Sequence, residues 1–419
     1  MQAGGRWLFM ILIVAAGGFF YVWYVNHEDD NAIVIRYMTW DSARGLEPER
    51  KIIERFEQQH PNIKISLEPC PQGYEDRVIV SLAGGKPPDV FLWWNYPRLV
   101  ELGALEDLRP YLDSDTTISL EDFYPNLVPI VLYKGKVCGL LKDFTPAILY
   151  YNKDLFDAAG IPYPDSDWTW DEFRDIAIQL THGDTYGFLV DARDIYTLEM
   201  WVWSNGGDLM SPDGDTATGY LDSKETIEAI RFYTELYTKY RVSPGLAERA
   251  SMGGGVNMFI TGKLAMFVSG RWPLLQLKRI KGLRFGTVLP PHPKGKQLVE
   301  IIYQSAQVMA KESRHKKEAW EFLKAMADTA AHRIRGEMGW AIPAYPEVVK
   351  RLGFDKDPIE RPFIQAVKYA TKKPIALRTV RWPEIERKIA YGMERIMLLD
   401  EDVEKVLKEV AYKIDHGLE

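Results

Sequence analysis

The chain has 419 residues, 46% hydrophobic and 26% charged, with a formal net charge of −7. That length favours two or three domains over one, and an acidic balance without a basic stripe argues against nucleic acid as a partner. The only two cysteines, Cys70 and Cys138, belong to no Cys-x-x-Cys or Cys/His cluster, so no metal ligand set and no cofactor motif stands out. The two could pair in an oxidising compartment or stay as separate buried thiols. Aromatic residues are plentiful, with 13 Trp, 22 Tyr and 17 Phe, more than a core alone calls for, which points to a binding cleft.

Residues 7–25, WLFMILIVAAGGFFYVWYV, carry no charge. As a helix they would span about 28 Å, roughly one bilayer core. Arg6 precedes the run and Glu28, Asp29 and Asp30 follow it, an asymmetry that places the body outside the cytoplasm. No Ala-x-Ala pattern follows the run, and no cysteine precedes Cys70 for lipid attachment. The expectation for residues 1–30 is an uncleaved signal-anchor helix, with a cleaved signal peptide as the alternative.

From residue 31 strands alternate with helices. AIVIRYMTW reads as a buried strand, and PERKIIERFEQQH as a helix with Ile52, Ile53 and Phe56 on one face and Pro48 in its first turn. NIKISLEP alternates as a strand, YEDRVIVSLAGG is a helix closed by Gly84 and Gly85, and PPDVFLWW is a third strand. A β-α-β-α-β run implies a mainly parallel sheet, whose ligands sit at the carboxyl ends of the strands. Trp40 and Asp41 end the first strand, and Trp93, Trp94 and Asn95 end the third. Strand alternation sends Trp93 and Trp94 to opposite faces without saying which is outward. Further along, residues 142–146 between KVCGLL and ILYYNKDLF read as a crossover, and Thr169 with Glu172 forms a capping box. SKETIEAIRFYTELYTKY is a long amphipathic helix, and the chain beyond about residue 346 is mostly helical.

Seven collinear stretches, FEQQHPNIKI, SLAGGKPPDVF, LYYNKDLFDAAGIPYP, DWTWDEF, NGGDLMSPDG, FITGKLAMFVSGRW and KKEAWEFLKAM, resemble the family 1 extracellular solute-binding proteins, relatives of the maltose-binding protein. The resemblance covers nearly everything after residue 32. It implies an α/β, two-lobed periplasmic-binding-protein fold of type II, hinged about a ligand cleft and here preceded by the transmembrane helix. The implied lobe one holds residues 31–141 and 300–345, and lobe two holds 142–299, with the helices of 346–419 packed mainly on lobe two. The implied function is capture of a mono- or oligosaccharide and its delivery to the permease of an ATP-binding-cassette (ABC) importer. The implied protein is monomeric and sits outside the cytoplasm; its anchoring to the cytoplasmic membrane is expected from the charge-free run 7–25 and not from the resemblance. The family usually carries a cleaved or lipidated signal, from which this amino terminus departs.

Carried over residue by residue, the resemblance points to Trp40 and Asp41 after the first strand, and to Trp93, Trp94 and Asn95 after PDVF. It adds Asp143 and Thr145 before YYNKDLF, Tyr196 ten residues before Gly206, Arg271 and Trp272 after the second AM-type strand, and Trp382 as a C-terminal stacking tryptophan. Trp203, before NGGD, is a further candidate for the cleft. These residue types suit a sugar. The C–H face of a pyranose leaves water favourably against a flat ring, and its hydroxyl rim needs a donor or acceptor at each position. Two other functions compete: a membrane-tethered sugar sensor, and a glycoside-processing enzyme, since such sites also combine tryptophans with carboxylates. No sequence pattern sets two carboxylates at a catalytic separation, and GxSxG, HExxH and P-loop patterns are missing, so no catalytic residue is expected.

Overall fold

The computed structural model describes residues 32–418 and, ahead of them, two paired three-residue strands, Ile13–Ala15 and Gly18–Phe20. The rest of the expected membrane helix over residues 7–25 lies outside the described residues. Where the two overlap, the expectation is not met: those six residues pair as antiparallel strands, and Gly17 and Gly18 are poor helix formers. Among the described residues no helix is long and apolar enough to cross a membrane.

Two main sheets use nine strands: β1 (Ile33–Thr39), β2 (Ile63–Pro69), β3 (Val90–Trp93), β4 (Leu140–Pro146), β5 (Ile148–Asn152), β6 (Tyr186–Phe188), β7 (Leu264–Ser269), β8 (Phe285–Val288) and β9 (Ile302–Met309). The first sheet has the order β2-β1-β3-β9-β4. β1, β2 and β3 run parallel, as the expected β-α-β-α-β unit requires, and β9 lies antiparallel to both of its neighbours. The second sheet has the order β6-β7-β5-β8. Each sheet is the floor of one lobe, giving the expected two-lobed α/β architecture.

Helix α1 (Leu46–Gln59) begins with Pro48 in its first turn and turns Ile52 and Phe56 inward. There they meet Ile35 and Tyr37 of β1 and Phe322 of the helix Lys316–Ala327, with Phe56 edge-on to Phe322 at 5.2 Å. Helix α2 (Tyr74–Ala83) covers the other face, with Tyr74 and Val78 buried beside Phe91 and Trp93. In the second lobe the Thr169 capping box forms as expected: Thr169 N–H donates to Glu172 Oε2 at 2.7 Å, and the Glu172 amide donates back to Thr169 Oγ1 at 3.4 Å. Helices α3 (Ile195–Ser204) and Lys224–Thr238 lie beneath α4 (Trp382–Leu399) and the terminal helix Val403–Asp415. The two cysteines are separate buried thiols.

The lobes are joined at a narrow place. β4 ends at Pro146 and β5 starts at Ile148, so only Ala147 separates the strands, and the boundary expected between 141 and 142 falls inside β4. The return passage is residues 289–301, between β8 and β9. A third passage runs near residues 367–378. Val367 accepts from Asn126 Nδ2 and Lys373 Nζ donates to the Leu132 carbonyl, while Ile375 N–H donates to Glu199 Oε2 on α3.

Candidate functional site

The strand ends of the first lobe and the amino end of α3 face each other across this junction. VFLW of β3 is buried throughout, which settles the alternation at its end. Trp93 turns into the core, 2% exposed, and its indole N–H donates to the Asn95 carbonyl at 2.5 Å. Trp94 is the outward member. Its indole N–H donates to Glu75 Oε1 at 2.8 Å, and its ring stands edge-on to Tyr196 of α3 at 6.2 Å.

From there an aromatic run continues. Tyr196 lies 4.8 Å from Tyr303 at the start of β9, and Tyr303 lies 5.1 Å from Trp272, edge-on. Trp272 follows β7 and is 60% exposed, the most solvent-open tryptophan among the described residues, with Trp340 second at 39%. The space it occupies depends on Gly270, where a Cβ would come within 2.1 Å of the Trp272 ring. Trp382, buried at the start of α4, backs Tyr196 at 6.5 Å. The plates are held from behind. Tyr196 Oη donates to the Ile302 carbonyl at 2.9 Å, and Asp194 caps α3 while bonding Thr197, whose hydroxyl meets Tyr303 Oη. On the first-lobe side, Trp40 packs edge-on to Tyr74 at 5.1 Å.

The polar residues divide into committed and open groups. Asp41 accepts from Thr39 Oγ1 at 2.7 Å and from Lys142 Nζ at 2.5 Å. Lys142 also lies 3.5 Å from Glu49, which Arg335 clamps through both guanidinium arms at 2.8 and 3.0 Å. Burial opposes the Glu49 charge, but Arg335 and Lys142 outweigh it and hold its carboxyl at about 2. Asp143 accepts from Ser305 Oγ at 2.7 Å, and burial, partly offset by Lys142, pushes its carboxyl up. Thr145 Oγ1 accepts from Arg271 N–H at 2.8 Å, tying β4 to the loop after β7. The Arg271 side chain is fully occupied: Glu360 takes Nε and Nη2 at 2.8 and 2.7 Å, and the Gly339 carbonyl takes Nη1 at 2.5 Å. Asn95 is buried, and its Oδ1 has no hydrogen-bond partner.

Trp203 stands apart from this group. It is 2% exposed near the other end of α3, with Lys372 over its ring at 5.8 Å. Sequence reasoning missed Glu75, Asp194, Tyr303 and Glu386. Asp194 had a local signal, an N-capping Asp three residues before Thr197. Glu386, on α4, carries no hydrogen bond among the described residues, and burial together with the Asp194 and Glu75 charges raises its carboxyl.

A cleft between two hinged α/β lobes, floored by strand ends and walled with aromatic plates, defines a binding protein that closes on a small solute. The sequence profile of the bacterial extracellular solute-binding proteins matches residues 40–333, and the chain belongs to that family. It is a family of binding proteins, not of enzymes. Among relatives, the maltodextrin-binding protein of Bacillus subtilis is 26% identical over 293 residues, covering 69% of this chain and 68% of that one. The sn-glycerol-3-phosphate-binding periplasmic protein of Agrobacterium fabrum is 23% identical over 366 residues, covering 81% of each. Among solved structures, an ABC substrate-binding protein of Listeria monocytogenes in complex with cycloalternan superposes with a TM-score of 0.81 at 24% identity, covering 93% of this chain and 100% of that one.

Proposed function

We propose that the cleft binds a neutral oligosaccharide and that the protein hands it to an ABC importer. The observation that carries this reading is the aromatic run Trp94–Tyr196–Tyr303–Trp272, which crosses from one lobe to the other and ends in an exposed indole. Flat plates in series suit successive sugar rings, whose C–H faces lose water against them. Asp41, Asp143, Asn95 and Glu75 offer acceptors for a hydroxyl rim. Trp40 extends the apolar wall on the first-lobe side, while Trp93, Arg271 and Trp382 act behind the contact surface. A phosphorylated ligand fits less well, because Lys142 and Arg271, two cations beside the cleft, are already neutralised by Asp41, Glu49 and Glu360. Relatives named for maltodextrin and a fold neighbour holding cycloalternan support the same class. The charge-free run 7–25, together with the extracellular family, supports attachment to the outer face of the cytoplasmic membrane, which fractionation of cells before and after high-salt and detergent washes tests. The ligand is tested by calorimetry and thermal shift with maltotriose, cycloalternan, a galacto-oligosaccharide and sn-glycerol 3-phosphate. Binding of a neutral oligosaccharide alone is expected, and binding of the phosphate ester alone would overturn the reading.

A further inference from the structure

The three passages between the lobes meet at one residue. Glu300 is fully buried. Its Oε1 accepts from the Ile301 amide at 2.8 Å and from the Ala147 amide at 3.2 Å, so a single oxygen bridges the outgoing and return crossovers. Its own amide donates to the Tyr369 carbonyl at 3.0 Å, which adds the third passage. Ala147 N–H also reaches the Ile301 carbonyl at 3.3 Å, so the two crossovers are in direct contact at this point. The second carboxyl oxygen, Oε2, is buried with no partner. An ionised carboxylate so placed would leave a buried charge unpaired, at a cost far above that of a neutral acid.

The surroundings offer no compensating charge. From the outgoing crossover come Pro146, Ala147 and Ile148, none of them titratable. On the same strand as the return crossover, Tyr303 is the titratable neighbour, and its hydroxyl meets Thr197 instead. From the third passage, Lys368 is exposed and lies over the Tyr369 ring at 4.6 Å. From α3, Tyr196 gives its hydroxyl to Ile302 and Glu199 faces Arg378. No ion pair among the described residues includes Glu300.

We propose that Glu300 is a positioning residue of the hinge: its neutral carboxyl fastens the two crossovers to each other, and its ionisation releases them and lets the lobes part. The inference rests on the two-lobed fold and not on the identity of the solute, and its test uses no sugar. Burial pushes the carboxyl well above the ordinary carboxylate range. The sign follows. The fastening is complete below the ordinary range, and it is lost as pH rises through the raised value, because a separated hinge admits water and favours the charged form.

The experiment is a pulsed electron-paramagnetic-resonance distance between spin labels on Lys51→Cys and Lys224→Cys, exposed positions in the two lobes, in the full chain. Buried Cys70 and Cys138 stay unlabelled in the folded protein. In a pH series that starts below the ordinary carboxylate range and rises as far as the protein stays folded, the distance is expected to lengthen reversibly in the otherwise wild-type protein and to stay constant in Glu300→Gln, whose amide oxygen keeps both hydrogen bonds without a charge. A pH-independent distance in the first protein, or an equal change in the second, overturns the proposal. Should Glu300→Gln fail to fold, hydrogen exchange of the unaltered protein decides. Protection of the Ala147 and Ile301 amides must fall with pH beyond the intrinsic rise in exchange chemistry, while β3 keeps its protection. Unchanged protection at the hinge overturns the proposal equally.

Discussion

Replacing Trp272 by Ala separates ligand binding from folding. The side chain is 60% exposed, so the fold gains little from it. A tryptophan carries about 250 Å² of surface, which leaves about 150 Å² of this one in water. A sugar ring stacked on one face would cover about half of that, and about 75 Å² at about 25 cal/mol per Å² gives about 2 kcal/mol, or about thirty-fold in Kd. Calorimetric titration with the oligosaccharide identified by the panel above reads the affinity, and thermal melting of the ligand-free protein reads stability. The expected outcome is about thirty-fold weaker binding with an unchanged Tm. Unchanged affinity would place the ligand away from the aromatic run, and a Tm loss of many degrees would mean that the indole is part of the core.

Trp93→Ala should behave in the opposite way: with 2% exposure it should cost about 3–5 kcal/mol of stability, read by denaturant unfolding, and a fully stable variant would contradict its placement in the core. Arg271→Met takes the bidentate partner from buried Glu360 and leaves it only Lys278 Nζ at 2.9 Å, so it should cost less than the about 3–5 kcal/mol of a fully unpaired buried charge at neutral pH. The loss should shrink on acidification as Glu360 takes a proton, and an equal loss at every pH would refute the ion-pair account. Glu199, pushed up to about 8 by burial against the weaker pull of Arg378, favours folding most below the ordinary carboxylate range. Stability should therefore fall as pH rises towards about 8, and Glu199→Gln should flatten that slope in melts taken across the range. Gly270→Ala should displace the Trp272 ring and weaken binding, with a crystal structure or indole fluorescence reporting the shift.

Much of the architecture was legible because burial writes period 2 and period 3.6 into the chain. The alternation of Ile63, Ile65 and Leu67 marked β2, and Ile52 with Phe56 marked the inner face of α1. Pairings that join distant segments leave no such local trace. Nothing in IYQSAQVM says that it will lie between β3 and β4, and only the family resemblance anticipated a return to lobe one. The site divides the same way. Trp40 and Trp94 were visible as candidates at strand ends, because an outward indole beside a buried strand asks for a cover, and Trp272 was visible only through the family resemblance. Which of Trp93 and Trp94 faces out was not, because alternation fixes only their difference. Arg271 reads as a ligand group until its partner is known, and Glu360 lies 89 residues away on another element. Tyr303 was missed because its neighbours across the cleft, Tyr196, Thr197 and Trp272, come from other parts of the chain.

The place of β9 in the first sheet also constrains how the protein is made. β3 and β4 flank it and do not pair with each other, so the five-stranded sheet stays split until residues 302–309 leave the ribosome. The intervening residues can complete the second sheet first, since β5 to β8 all precede β9. The lobe that begins the chain is thus the later to close. Pairings of such long sequence separation form slowly, and the nascent chain stays unfinished for most of its synthesis. A chain bound for the outside of the cytoplasm gains time from that delay, because a translocation channel accepts an open polypeptide and not a finished lobe.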